Sequence, residues 1–377
     1  MASTNANVCV GGAQANSSAA DRWSSGIPDD LLAISFATPI DRVRFAAVCT
    51  AWRAVASMHL ARGGFPWLIL DPSGSHETNY AYCPEEGMVL PRPSLRSEAA
   101  RRCFCFVGSH DGGWVASSEM IFNLFSGAKV SLLREDMVHP RQCIRDQLVL
   151  RKIVFSEKPT LPGCILAAIT NKHEFAFYKV GCPEAGWKTY GALAQDGLMD
   201  ITFCNGELYG ITKSKQLNKY EFGINNQGGT VLKKTHRFSK LDVYYWEYCS
   251  NQFRYILETR GKLVMVASNF TVHELVNTDT GKYDCVRMCN LGNYALFLGP
   301  VPTGERGGLQ KNHIYVSYHR CLRRNDDIPN DAKVFLKTLN DDGYRVYYKR
   351  DRCVNGIRST RYYVMGGLHP PMWLLPP

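Results

Sequence analysis

The side chains that could carry covalent chemistry in this chain do not assemble into a catalytic pattern. No Gly-x-Ser-x-Gly nucleophile elbow and no Gly-x-x-x-x-Gly-Lys phosphate loop occurs in its 377 residues. Asp279-Thr280-Gly281-Lys282 comes nearest to a phosphate loop. Tyr283 follows the lysine and the upstream glycine is missing, so the segment reads as a hairpin turn. Cys103 and Cys105 lie two apart and Cys285 and Cys289 four apart, but a zinc site needs a second Cys or His pair at compatible spacing, and none follows. His110, His139, His173, His236, His273, His313 and His319 stand singly. A glycosidase needs two carboxylates facing one bond; Asp200, Glu207 and Glu258 are available, yet nothing in their spacing pairs them. The expectation is a non-enzymatic chain with no catalytic, cofactor-binding or metal residues.

What remains is binding, and charge bounds the partners. Lys plus Arg number 44 against 34 Asp plus Glu, a formal +10. The excess shows as scattered doublets, Arg101-Arg102, Arg151-Lys152, Lys233-Lys234, Arg323-Arg324 and Lys349-Arg350. Nucleic-acid binders concentrate such charge on one face, so a solvated basic surface is expected, with no nucleic-acid partner. The 14 cysteines lack a disulfide framework, and Cys164 and Cys204 sit inside apolar runs like buried hydrophobes of a reducing compartment. Residues 1–22, rich in Ala, Asn and Ser without an apolar core, read as a disordered tail and not a signal peptide. Uncharged stretches such as 159–170 are too short to span a bilayer. These features predict an intracellular protein of cytoplasm and/or nucleus, without membrane contact.

Stepping along the chain, 63–101 reads as connecting loops with a first strand, and 102–377 as a long run of short strands. Alternating and apolar segments predict strands at 103–107, 114–116, 121–124, 152–155, 164–169, 175–180, 187–190, 199–203, 208–212, 217–222, 254–258, 263–267, 271–276, 294–298, 313–318, 334–337 and 345–348. Asn205-Gly206-Glu207-Leu208 and Arg260-Gly261-Lys262-Leu263 repeat a turn glycine, a leucine and a strand about 55 residues apart, near the blade size of kelch-like propellers. Ser109-His110-Asp111-Gly112-Gly113-Trp114 is a cousin of the same turn. At roughly 45–50 residues per blade the region predicts six or seven blades. Two stacked β-sandwiches are the other arrangement the pattern allows. Tyr244-Tyr245-Trp246 is a dense aromatic run, either a target-binding patch or a filler between blades.

Residues 23–62 differ in kind. Pro28, Asp29 and Asp30 favour a helix start, Leu31, Leu32, Ile34 and Phe36 give it an apolar side, and Thr38-Pro39 stops it. Asp41 can cap a second helix whose Phe45, Val48, Cys49, Trp52 and Val55 recur at three- and four-residue steps. A pair this short and apolar needs another surface to cover it, its own β region or a partner.

Ile27-Pro28-x-x-Leu31-Leu32, then Asp41-Arg42-Val43-Arg44, then Val48-Cys49-x-x-Trp52-Arg53 resembles an F-box, the helical motif that docks substrate adaptors on the Skp adaptor of a cullin–RING ubiquitin ligase. The segment between Leu32 and Asp41 is shorter than the F-box pattern. The resemblance implies Skp contacts at Ile27, Pro28, Leu31, Leu32, Val43, Arg44, Val48, Cys49, Trp52 and Arg53. Behind it, Gly112-Gly113-Trp114-Val115 with Phe122-Asn123-Leu124-Phe125-Ser126-Gly127, Asp200 to Ile211, Asn293 to Pro300 and the closing Pro370-Pro371-Met372-Trp373 resemble, in order, the KIB-type β-propeller found behind plant F-boxes. Leu124 stands where that family has a proline. Together the resemblances imply a substrate-recruiting subunit of an SCF-type ligase, with cullin and RING subunits reached through Skp and an unknown target on the propeller. The alternative is a propeller scaffold whose degenerate F-box does not engage the ligase.

Overall fold

A computed structural model of the chain divides into two compact units, Met1–Ala61 and Arg62–Pro377. It describes Asp41, Phe45, Val48, Trp52 and Val55 of the first unit. In the second it describes residues 65–375 apart from 71–79, 85–86, 92–105, 118, 125, 133–148, 183–185, 191–195, 226–229, 242–254, 268, 279–280, 300–303, 308–309, 321–332, 335–344, 351–352, 354–355 and 366–369. No helix among the described residues is long and apolar enough to cross a membrane.

The second unit is a β-propeller. Blade one joins β1 (Trp67–Leu70), β2 (Tyr80–Cys83) and β3 (Met88–Pro91) to the last strand, β26 (Met372–Leu374), in the order β26-β1-β2-β3. Blade two is β4 (Gly108–His110), β5 (Trp114–Ala116), β6 (Met120–Asn123) and β7 (Lys129–Ser131). Blade three is β8 (Leu150–Phe155), β9 (Ile165–Thr170), β10 (Phe175–Lys179) and β11 (Lys188–Tyr190). Blade four is β12 (Leu198–Cys204), β13 (Glu207–Thr212), β14 (Gln216–Ile224) and β15 (Thr230–Lys240). Blade five is β16 (Tyr255–Thr259), β17 (Lys262–Val266), β18 (Val272–Asn277) and β19 (Tyr283–Met288).

A sixth sheet holds β20 (Tyr294–Leu298), β21 (Gly304–Gly307), β22 (His313–Arg320), β23 (Lys333–Val334), β24 (Arg345–Arg350) and β25 (Arg358–Met365), ordered β21-β20-β22-β25-β24-β23. In it β22 runs parallel to both β20 and β25, which an up-and-down blade never does. The described residues therefore show five four-stranded blades and one mixed sheet, not the six or seven regular blades that strand spacing predicts.

Successive sheets bury one another's faces. Leu166 and Ile153 of blade three pack with Trp114 and Ile121 of blade two, and Phe175 and Phe177 with Ile201 and Tyr220 of blade four. Ile211 and Leu217 meet Ile256 and Met265 of blade five, and Val264 and Val272 meet Leu296 and Ile314 of the sixth sheet. Leu68, Tyr82 and Trp373 of blade one complete the circuit against Phe297, Tyr315 and Tyr362. β26 pairs antiparallel with β1 (Leu68↔Trp373), so strands from the two ends of the unit share one blade. Trp373 is fully buried there, its Nε1–H donating to the Leu298 carbonyl at 2.9 Å.

The inner strands follow their sequences. Ile165–Thr170 and Tyr294–Leu298 are near-continuous apolar runs, as strands covered on both faces must be. The outer strands β7, β15 and β19 carry no such run: in β19 Asp284, Val286 and Arg287 are exposed and only Tyr283 is buried. The repeat of turns is real. Asn205-Gly206 and Arg260-Gly261 all have positive φ (50°, 77°, 52° and 71°), the type I′ geometry that joins β12 to β13 and β16 to β17 in consecutive blades.

Candidate functional site

The first unit shows a small apolar nucleus with one apolar side chain left outside it. Asp41, Phe45, Trp52 and Val55 have helical backbone, while Val48 sits in a turn with its N–H donating to the Phe45 carbonyl at 3.0 Å. The Phe45 and Trp52 rings stack at 4.1 Å and 20°, and Phe45 and Val55 are buried. Val48 is 58% exposed. The three-and-four spacing thus places Phe45 and Val55 inside as expected but leaves Val48 in solvent. Of the other expected Skp contacts, Ile27, Pro28, Leu31, Leu32, Val43, Arg44, Cys49 and Arg53 lie outside the described residues. So do Tyr244, Tyr245 and Trp246.

In the propeller the most heavily connected polar group is one the sequence hides. Strands β4, β8, β12, β16 and β26 each end their sheet on the side where blades meet, and β12 lies against both β8 and β16. A β-bulge between Leu150 and Lys152 in β8, and another between Leu198 and Asp200 in β12, turn both charged side chains inward. Both are 4% exposed. The Lys152 ammonium donates to the Asp200 carboxylate and, at 2.6 Å, to the Ile201 carbonyl. Asp200 also accepts the N–H groups of Ile201 (3.0 Å) and of Ile256 on β16 (2.8 Å). Three blades are tied by one carboxylate. Burial pushes the Asp200 carboxyl up and the Lys152 ammonium down, and each partner's charge opposes the shift.

This arrangement bears on two sequence readings. Asp200 is fully engaged by its three donors and is not poised as a catalytic acid. Arg151-Lys152, read as a surface doublet, is half interior: Arg151 is exposed and Lys152 sealed. The visible signal was Asp200 itself, a single acid within an apolar strand.

Other titratable groups of blade four are engaged too. Glu207 accepts from Lys219 and from the Tyr209 hydroxyl, which in turn receives the Tyr283 hydroxyl at 3.4 Å. Burial would lift the Glu207 carboxyl, but these hydrogen bonds and the Lys219 charge hold it below its ordinary value. Burial, with the Glu258 and Glu207 charges beside it, pushes the Cys204 thiol up to about 11, so it is protonated and unreactive at neutral pH. Glu258 is exposed at the β16 end, apart from the Asp200 cluster in role. Among the described residues no group of three His, Cys, Asp or Glu could hold a metal ion, and Cys164, Cys182, Cys204, Cys289 and Cys353 are free thiols. What the geometry offers is a rigid body with engaged polar groups inside and loops and edges outside.

Residues 83–347 match the family model of the KIB1-4 beta-propeller. F-box protein KIB4 of Arabidopsis thaliana is 20% identical over 192 residues, which is 50% of this chain and 42% of that protein. The chain thus aligns with less than half of the relative's length. Among solved structures, the β-propeller domain of Myceliophteria thermophila Cps50 (Swd1) shares 9% identity over 59% of this chain and 70% of its own, with a TM-score of 0.34. YCF48 bound to D1 peptide shares 12% over 42% of this chain and 47% of its own, with a TM-score of 0.26. The family match covers well over half the sequence and coincides with the propeller described above: the chain belongs to the KIB1-4 β-propeller family.

Proposed function

We propose that this protein is a non-catalytic, target-recruiting adaptor of a Skp–cullin–F-box ubiquitin ligase, its first unit an F-box on the Skp adaptor and its propeller the target platform. The observation that carries the reading is kinship: a KIB1-4 propeller, related to a plant protein described as an F-box protein, follows the Val48-Cys49-x-x-Trp52-Arg53 pattern. Val48 supports it, since an apolar side chain left in solvent in the turn after Phe45 suits a surface that a partner covers. No residue of this chain need touch the bond formed. It holds target and conjugating enzyme on one body, and catalysis is proximity. The cullin and RING subunits would follow through Skp, in cytoplasm or nucleus. We read the sixth sheet as the sixth position of the propeller ring.

Co-purification tests this. Val48→Asp changes an exposed position and should leave folding intact while abolishing capture of the Skp adaptor by the full chain. Equal capture by wild type and Val48→Asp would remove the basis for docking at this face. A wild type that folds and captures no Skp at all would instead favour the scaffold reading, which the short Leu32–Asp41 segment motivates.

A further inference from the structure

The basic excess is not spread evenly. Residues 213–240 hold six lysines and Arg237 against Glu221, a net +6 with His236 neutral, out of +10 for the whole chain. In the structure this stretch is the outer half of blade four. β15 is 11 residues long and, among the described strands, pairs only with β14. Glu207 occupies Lys219 and Glu221 occupies His236, while Lys233, Lys234 and Arg237 are exposed.

Lys233 is held in place. Glu221 pairs with Lys234 and Phe222 with Leu232, so Lys233 is the extra residue of a β-bulge. Its aliphatic chain crosses Gly223 on β14, where a Cβ would come within 2.0 Å of the Lys233 Cε. With a glycine there the stem lies over the sheet, and both Lys233 and Lys234 are exposed. Lysines and bulges also defend edge strands against strand addition. Defence alone does not need this density: on the neighbouring outer strand β19, Asp284 and Arg287 cancel.

We propose that the β14–β15 hairpin is a docking ledge for an acidic protein segment, recognised through side-chain charge and not by strand addition. The bulges argue against a paired strand. The rings argue against single-stranded nucleic acid, which is gripped by exposed aromatics: Phe222 packs on Phe177 and Phe238 on Tyr283, neither exposed. The inference does not depend on the adaptor reading, though under that reading the segment belongs to the target.

Fluorescence anisotropy of the purified full chain, with a labelled peptide of alternating glutamate and serine, tests it without any ligase subunit. Lys233→Glu with Lys234→Glu should weaken binding on the order of tenfold. The same reversal at exposed Lys282 and Lys311 should leave it unchanged. Added salt should weaken wild-type binding most. Equal weakening by both double variants would show only diffuse attraction and sink the ledge. Tighter binding of oligothymidylate of equal charge would replace the acidic segment by nucleic acid. Should Lys233→Glu disturb the Gly223 contact, shown by an altered melting midpoint, Lys234→Glu with Arg237→Glu reads the same ledge, and its failure to weaken binding overturns the proposal equally.

Discussion

Lys152 on β8 and Lys233 on β15 are both lysines at β-bulges, in adjacent blades, and the molecule uses them oppositely. The first bulge turns its lysine into the place where three inner strands meet, where it donates to the Asp200 carboxylate and the Ile201 carbonyl while Asp200 also accepts the Ile256 N–H. The second lays its lysine across Gly223 and leaves it exposed on the outer pair of strands. A buried charge is tolerated only when paired and hydrogen-bonded, whereas an exposed one costs almost nothing to leave alone. Inner strands therefore resist change and outer strands are free to vary.

The contrast breaks most visibly at Asp200. Asp200→Ala leaves an unpaired buried ammonium and orphans the Ile256 N–H, so a loss of about 3–5 kcal/mol is expected, read as a fall in urea midpoint. Lys152→Met with Asp200→Leu sharpens the point. Removing both charges should cost less than removing one, and a double variant no more stable than Asp200→Ala would mean the pair is not what joins the blades.

A middle case is His273, buried on β18 beside Arg287, with Nδ1 facing no acceptor among the described residues. Burial, then the Arg287 charge, pulls its pKa below 6.5, so the unfolded chain takes up the proton first. Stability from this group is present above 6.5 and is lost as pH falls through the folded value. The urea midpoint should drop on acidification, and less in His273→Gln. The smallest effect belongs to the rim: Val286→Ser and Lys234→Glu should each change stability by no more than about 0.5 kcal/mol.

The same contrast explains what could be read beforehand. Ile165–Thr170 and Tyr294–Leu298 announce themselves because both faces are covered and every position is apolar. Asn205-Gly206 and Arg260-Gly261 are legible because type I′ turns demand positive φ, even though the arginine needs the Tyr294 ring 5.0 Å from its guanidinium. β15 and β19 are illegible, since half-exposed strands carry no apolar alternation to count. Lys152 was misread for want of its partner 48 residues away. The ledge was missed because its charges look scattered until β14 and β15 fold side by side. Strand spacing does not reveal the mixed sheet, because the parallel pairing of β22 with β20 and β25 leaves no mark in the spacing of apolar runs.

The pairing of β26 with β1 also has a meaning in time. β1 leaves the ribosome about 300 residues before its partner strand, on the order of 15–60 s at ordinary synthesis rates. Until Trp373 arrives, Leu68 and Phe297 have no indole between them and blade one keeps an open inner edge. Blade one of this propeller is thus finished by β26, and a nascent chain stalled short of that strand would present the β1 edge to whatever chaperone or neighbour is at hand.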